Sequence, residues 1–323
     1  MKALLREILL KFPIWTFIEK SLAILNSLLS TNGKRMAYQV YELSADRTHN
    51  QHYPKRQEKM AILIQGPISH PNFLNQTINF YKTQFPGIPV YLSTWSSDPH
   101  LDRFHNNKNV RLVLGDLPSD SGLSNINYQA HSSVNGLEVI LSDGYQFAVK
   151  CRTDQAMYAN RSLDLLLFLW KSAKRIEFQR IVTTDFNSFL FRKYSPNDQF
   201  MFGLTETLFD FWNSYKLLQN QSDVSNDNSL AERKVLRTYL KYLGLTFSDT
   251  LSQSLQLYRD LYIFIDNEDL DLFWVKGSQR TLRSRFAQQN YPSAESFVRY
   301  LDWVRLQTDI DSFLRDAELL KLQ

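Results

Sequence analysis

A run of five apolar residues, Met60-Ala61-Ile62-Leu63-Ile64, stops abruptly at Gln65-Gly66-Pro67. An uninterrupted apolar strand, unlike an alternating one, belongs in a parallel sheet covered on both faces. The same grammar recurs downstream. Residues 72–84 read as a helix that Phe85-Pro86-Gly87 stops. Residues 90–95 and 110–114 read as strands, 125–142 as a helix, 145–150 as a strand, 163–174 as a helix and 180–184 as a strand. This alternation predicts an α/β fold, an open, mainly parallel sheet with covering helices. Beyond about residue 205 the periodicity turns helical, over 208–218, 230–243, 294–306 and 310–322. Three regions are expected: 1–55, an N-terminal helix and connector; 56–205, the sheet core; and 206–323, a mostly helical C-terminal elaboration.

Composition narrows the function. In 323 residues, 43% hydrophobic content suffices for one large α/β domain, or one domain with a smaller lobe. The aromatics recur along the whole chain and most read as core, with an aromatic-rich cleft that stacks bases or sugars as the alternative. The formal net charge of +4 is too weak to argue for nucleic acid, and no basic run interleaves with stacking aromatics. It suits phosphorylated substrates or an anionic membrane surface. The lone Cys151 excludes a disulfide within the chain and reads as a small buried hydrophobe. The six histidines lack metal-ligand spacing.

Residues 1–30 contain no stretch of the ~20 apolar residues that a bilayer span needs. Leu5, Ile8, Leu9 and Phe12 share one helical face, with Lys2, Arg6 and Lys11 elsewhere. Two readings stand: an amphipathic anchor on the inner face of a membrane, or a helix docked on the protein's own core. With no signal-peptide pattern, the expected location is cytoplasmic, peripheral on the membrane in the first reading.

In open α/β sheets, ligands bind outside the carboxyl ends of the strands. Gln65, Gly66 and Pro67 follow the first strand; Ser93, Thr94, Ser96 and Asp98 lie at the end of the second; Asp116 follows the third. Gly66 would allow close backbone approach to a ligand, and Gln65 could bond a base edge. Neither G-x-G-x-x-G nor a P-loop is present. Lys150, Arg152 and Asp154 form an i, i+2, i+4 set that would project to one side if the strand persists. Two cations and a carboxylate suit a diphosphate, with Asp154 able to hold a divalent metal. A structural ion-pair cluster is the alternative. Asn125, Asn127 and Gln129 open the helix at 125, either as caps or as amides facing a ligand. Asp198, in the polar turn 195–200, is the first choice for a general base, against an Asx-turn. Glu232 reads as a solvated first-turn glutamate, a second choice.

Together, Ile64-Gln65-Gly66-Pro67-Ile68, Leu92-Ser93-Thr94-Trp95, Asn125-x-Asn127-x-Gln129 with Gly136-Leu137, and Lys150-x-Arg152-Thr153-Asp154 resemble the WavE lipopolysaccharide-synthesis family over about 60–205. The resemblance implies a GT-A-type glycosyltransferase that passes a sugar from a nucleotide-sugar donor to a glycan or glycolipid acceptor of lipopolysaccharide or capsule. It places Gln65, Gly66, Pro67 and Thr94 at the nucleotide; in the ligand-facing reading of their helix start, Asn127 and Gln129 face the donor. Lys150 and Arg152 would stabilise the diphosphate, Asp198 would be the base, and 206–323 would be the acceptor side. Asp154 takes the place of the last acid in a D-x-D motif that holds Mn or Mg, and Arg152 stands where the first acid belongs. Two other classes remain: a non-catalytic nucleotide- or sugar-binding subunit, and a sugar nucleotidyltransferase, disfavoured by the missing Gly-rich loop.

Overall fold

The computed structural model describes residues 58–173, 178–219, 230–275 and 297–321. The expected N-terminal helix and connector, 1–55, lie outside them. The first strand, β1 (Met60–Gln65), is buried at every position, as its unbroken apolar sequence requires. Helix α1 (Pro71–Gln84) follows, with proline in its first turn, where the missing N–H costs nothing. Strand β2 (Val90–Trp95), the short helix α2 (Asp102–His105) and strand β3 (Arg111–Gly115) complete the first half of the sheet. Helix α3 (Ile126–Ser142) then returns the chain to β4 (Phe147–Arg152), which pairs in parallel with β1.

The remaining elements are β5 (Gln155–Met157), α4 (Ser162–Ser172), β6 (Ile181–Thr184), β7 (Met201–Leu204), α5 (Thr205–Leu218), α6 (Ala231–Tyr242), α7 (Leu251–Leu261), β8 (Tyr262–Ile265), β9 (Leu272–Trp274), α8 (Tyr300–Thr308) and α9 (Ile310–Lys321). Among the described residues the main sheet has seven strands in the order β3-β2-β1-β4-β7-β6-β8. Only β7 runs against its neighbours. The protein is therefore α/β with a mainly parallel sheet. Strands β5 and β9 form a separate antiparallel pair. The apolar run Tyr262-Ile263-Phe264-Ile265 extends the sheet from within the mostly helical C-terminal half, a strand that helical periodicity alone did not reveal.

The order reverses between β1 and β4, since the chain builds outward to β3 and then crosses back. That is the switch point at which open sheets bind ligands. Helix α3 reaches the sheet through Gly136. A Cβ there would lie 2.3 Å from Leu63 Cδ1 and 3.1 Å from Ser93 Cβ, so only glycine lets the helix settle this close. Side chains along β4 alternate between faces: Lys150 lies under Trp212 of α5, while Cys151 lies by Tyr81 of α1. Cys151 is wholly buried, and burial pushes its thiol up to about 12, which suits the packing role read from sequence.

Candidate active site at the sheet switch point

At the ends of β1 and β4, Gln65 and Arg152 are register partners. Gly66 follows with φ of +112°, a conformation that side chains disfavour. Its N–H donates to Ser93 O at 3.0 Å, and Thr153 N donates to Gln65 O at 3.1 Å. Thr153 Oγ1 donates to Pro67 O at 2.6 Å. These bonds sew the turn after β1 to the turn after β4. Asp98 does the same for β2, accepting from Ile68 N at 2.8 Å, from His100 N at 3.0 Å and from Thr94 Oγ1 at 3.4 Å.

The strand does not persist to Asp154. β4 ends at Arg152, and the tethered turn at Thr153 swings Asp154 back, so Lys150, Arg152 and Asp154 do not form a row. Arg152 Nε donates to Asp154 Oδ1 at 2.9 Å and Nη2 to Oδ2 at 3.2 Å. Asp154 is only 2% exposed, while a quarter of the Arg152 side chain reaches solvent. Burial works against the Arg152 charge, but the Asp154 hydrogen bonds and charge outweigh it and raise its pKa.

Lys150 is buried completely. Its Nζ donates to the Asp198 backbone carbonyl at 2.6 Å and lies 4.4 Å from the Trp212 ring centroid. Burial drives its pKa down to about 7, against the pull of Asp198. The Asp198 carboxyl is raised by burial, opposed by Lys150 and Arg152. Gln129 Nε2 reaches the same Asp198 carbonyl at 3.3 Å. The Asx-turn in this segment belongs to Asn197, whose Oδ1 accepts from Gln199 N at 2.8 Å.

The amide residues are engaged within the protein. Gln65 is buried, and its Oε1 accepts from Ser132 Oγ at 2.6 Å. Asn127 donates to Asp120 O at 3.2 Å and accepts from Tyr215 Oη at 2.9 Å. Asn125 holds the N-cap position of α3 in a left-handed conformation without a side-chain cap bond.

The residues around Asp154 do not fit a resident divalent cation. Its two oxygens are forked by a guanidinium, and no group of three or more His, Cys, Asp or Glu that could hold a metal occurs among the described residues.

Next to this turn lies a cavity of about 340 Å³, within the roughly 300–1,000 Å³ range of small-molecule sites. Asn187, Arg192, Ser195, Gln199, Glu232 and Trp274 contribute to its wall. Glu232 is half-buried at the start of α6, not the solvated glutamate expected from sequence. Burial, reinforced by the Asp198 charge, lifts its carboxyl to about 7, while its own backbone N–H and Arg192 act in the opposite direction. The cavity joins the β4 turn directly. Trp274 pairs with Gln155 in the small ladder, Val275 N donates to Asp154 O at 2.9 Å, and Gln155 Nε2 donates to Gln199 Oε1 at 3.2 Å. Asp198 is buried and does not line the cavity, whereas Glu232 does. The only sequence signal at Trp274 is an aromatic after a short apolar run.

Among the described residues no helix is long and apolar enough to cross a membrane. No curated protein sequence matches the chain significantly. Among solved structures, the crystal structure of a glycosyltransferase involved in the glycosylation of the major capsid of PBCV-1 matches with a TM-score of 0.39 and 12% identity. The match covers 65% of this chain and 82% of that one, a likeness too distant to carry an argument. The model of the WavE lipopolysaccharide synthesis family matches residues 60–246, more than half of the sequence. The chain is a member of the WavE lipopolysaccharide synthesis family.

Proposed function

We propose that this protein is a glycosyltransferase of the GT-A type, moving a sugar from a nucleoside-diphosphate donor to a glycan or glycolipid acceptor of lipopolysaccharide or capsule. Family membership supplies the biosynthetic setting. One observation carries the chemistry: a guanidinium, aimed by a buried carboxylate, stands at the switch point of the sheet beside a positive-φ glycine turn.

The diphosphate lies across the ends of β1 and β4, where the Gly66 backbone permits close approach. Arg152 meets the negative charge that grows on the leaving diphosphate, and Asp154 fixes the angle of its fork. Lys150 acts from beneath, holding the 195–200 segment through the Asp198 carbonyl. The nucleotide extends toward Thr94, the region 56–205 holding the donor. The region 206–323, with the loop before β7, holds the acceptor. Residues 1–30 carry the amphipathic pattern that would keep the enzyme at the inner face of the membrane.

The test is nucleoside-diphosphate release from UDP-glucose, UDP-galactose, UDP-N-acetylglucosamine and GDP-mannose, with de-acylated lipopolysaccharide as acceptor. Release that depends on the acceptor, and that Arg152→Met lowers at least tenfold, supports the reading. Calorimetric binding of UDP or GDP without release from any donor would instead make the protein a non-catalytic binding subunit. The same assay run with EDTA and with added Mn²⁺ decides metal dependence.

A further inference from the structure

The cavity beside the β4 turn has a chemistry of its own. Trp274 brings an indole edge whose buried Nε1–H finds no acceptor among the described residues. A buried donor left without a partner costs about 1–3 kcal/mol, so natural proteins leave few of them unexplained. Asn187, Ser195 and Gln199 add amide and hydroxyl groups on the loop that precedes β7. Arg192 lies 3.8 Å from the Phe189 ring centroid, and both contribute to the wall. A carboxyl, amides, a hydroxyl and aromatic surface together suit a sugar ring, which is polar at its hydroxyls and apolar on its C–H faces.

The cavity also lies where a second substrate would have to be. Two of its wall residues, Gln199 and Trp274, are tied to Gln155, which directly follows the turn that carries Arg152 and Asp154.

We propose that this cavity is the acceptor-sugar subsite and that Glu232 is the base that takes the proton from the attacking hydroxyl. The proposal rests on the transferase reading. It gives Glu232 the role that sequence assigned first to Asp198, because Glu232 lines the cavity and Asp198 is packed against Lys150 and Gln129. The acceptor oxygen bonds to the anomeric carbon as the bond from that carbon to the diphosphate oxygen breaks. The electron pair leaves with the nucleoside diphosphate, whose added charge faces Arg152. The hydroxyl proton ends on Glu232 and passes to solvent after the product departs. The Trp274 N–H donates to a second hydroxyl of the acceptor.

The charged and titratable groups facing Glu232 are Asp198 from the loop before β7, Arg192 from the loop after β6 and Tyr258 from α7. With burial and Asp198 acting together, the carboxyl titrates near 7, the range in which a general base is most effective.

The experiment compares the full chain with Glu232→Gln, Glu232→Asp and Trp274→Phe in the diphosphate-release assay with de-acylated lipopolysaccharide. UDP and GDP affinities are measured alongside by calorimetry. Glu232→Gln should lower kcat by about 10²- to 10⁴-fold with nucleotide affinity unchanged within twofold. The wild-type kcat should fall on the acid side of about pH 7, and that limb should vanish in the residual activity of Glu232→Gln. Glu232→Asp should recover part of the rate. Trp274→Phe should raise the acceptor KM more than it lowers kcat. A Glu232→Gln rate within threefold of wild type overturns the proposal, as does a loss of nucleotide affinity that matches the loss of rate. Absence of release by the wild-type chain overturns the transferase reading itself, an outcome distinct from either.

Discussion

The guanidinium of Arg152 forks onto both carboxylate oxygens of Asp154, two residues further along and folded back across the end of β4. The pair is asymmetric: the carboxylate is almost wholly enclosed, and the cation keeps one side open. An enclosed carboxylate that loses its cation is costly, roughly 3–5 kcal/mol when one partner of a buried pair is removed. Arg152→Met should therefore destabilise the protein by an amount in this range. Adding Asp154→Asn should recover part of it, since the side chain that faced Arg152 then carries no charge. Urea unfolding of wild type, both single variants and the double variant gives the coupling. A cycle in which the two losses simply add would show that the fork contributes nothing to stability.

Gly66→Ala tests the turn on the other side of the switch point. The added Cβ would stand 3.7 Å from Thr153 Oγ1, an ordinary contact, so space is not the obstacle. The obstacle is φ of +112°, where a side chain costs of order 1–3 kcal/mol. Alanine should shift the backbone toward negative φ and loosen the Thr153 Oγ1–Pro67 O bond. The expected result is a lower urea midpoint together with weaker UDP or GDP binding in calorimetry. Full stability with full affinity would mean that the turn adopts another path at no cost.

These two turns also show what sequence could and could not disclose. The unbroken apolar run of β1 and the glycine after it announced a buried strand with a tight exit, because both are local properties. The Arg152–Asp154 pair was hidden. It depends on Thr153 reaching Gln65 and Pro67, which lie more than eighty residues earlier and become neighbours only once β1 and β4 pair. Glu232 was misread for a related reason. First-turn glutamates are usually solvated, and the irregular segment whose Asn187, Arg192, Ser195 and Gln199 line the same cavity has no periodicity to reveal where it packs. Strand β8 was missed because four apolar residues follow directly on a helix, where strand and helical periodicity cannot be told apart.

Gly136→Ala addresses packing away from the site. The new methyl would enter the space of Leu63 Cδ1, 2.3 Å away, in the fully buried centre of β1. Overpacking of this kind costs typically 1–3 kcal/mol. Leu63 is the flexible partner, so Gly136→Ala combined with Leu63→Val should be more stable than the sum of the two single losses. Denaturant unfolding of the three variants measures this. Strict additivity would place the clash on Ser93 Cβ, the other near neighbour.

At Glu232 stability and catalysis pull in opposite directions. Its folded-state pKa of about 7 lies above the ordinary glutamate value of about 4.3, so the folded protein holds this proton more tightly than the unfolded chain does. Below about pH 4 both states are protonated and the residue is neutral in its effect. Between there and about pH 7 the unfolded chain ionises first, and stability is lost as pH rises. Above that range the whole penalty is present, about 1–3 kcal/mol for a shift of this size in a half-buried group. Glutamine carries no charge at any of these pH values. Glu232→Gln should therefore unfold at a higher temperature than wild type at pH 8 and at nearly the same temperature at pH 4.5. Thermal melts at the two pH values give the comparison. A variant that is less stable than wild type at pH 8 would show that the ionised carboxylate is held by favourable contacts with Arg192 rather than exposed to a buried, unsupported charge.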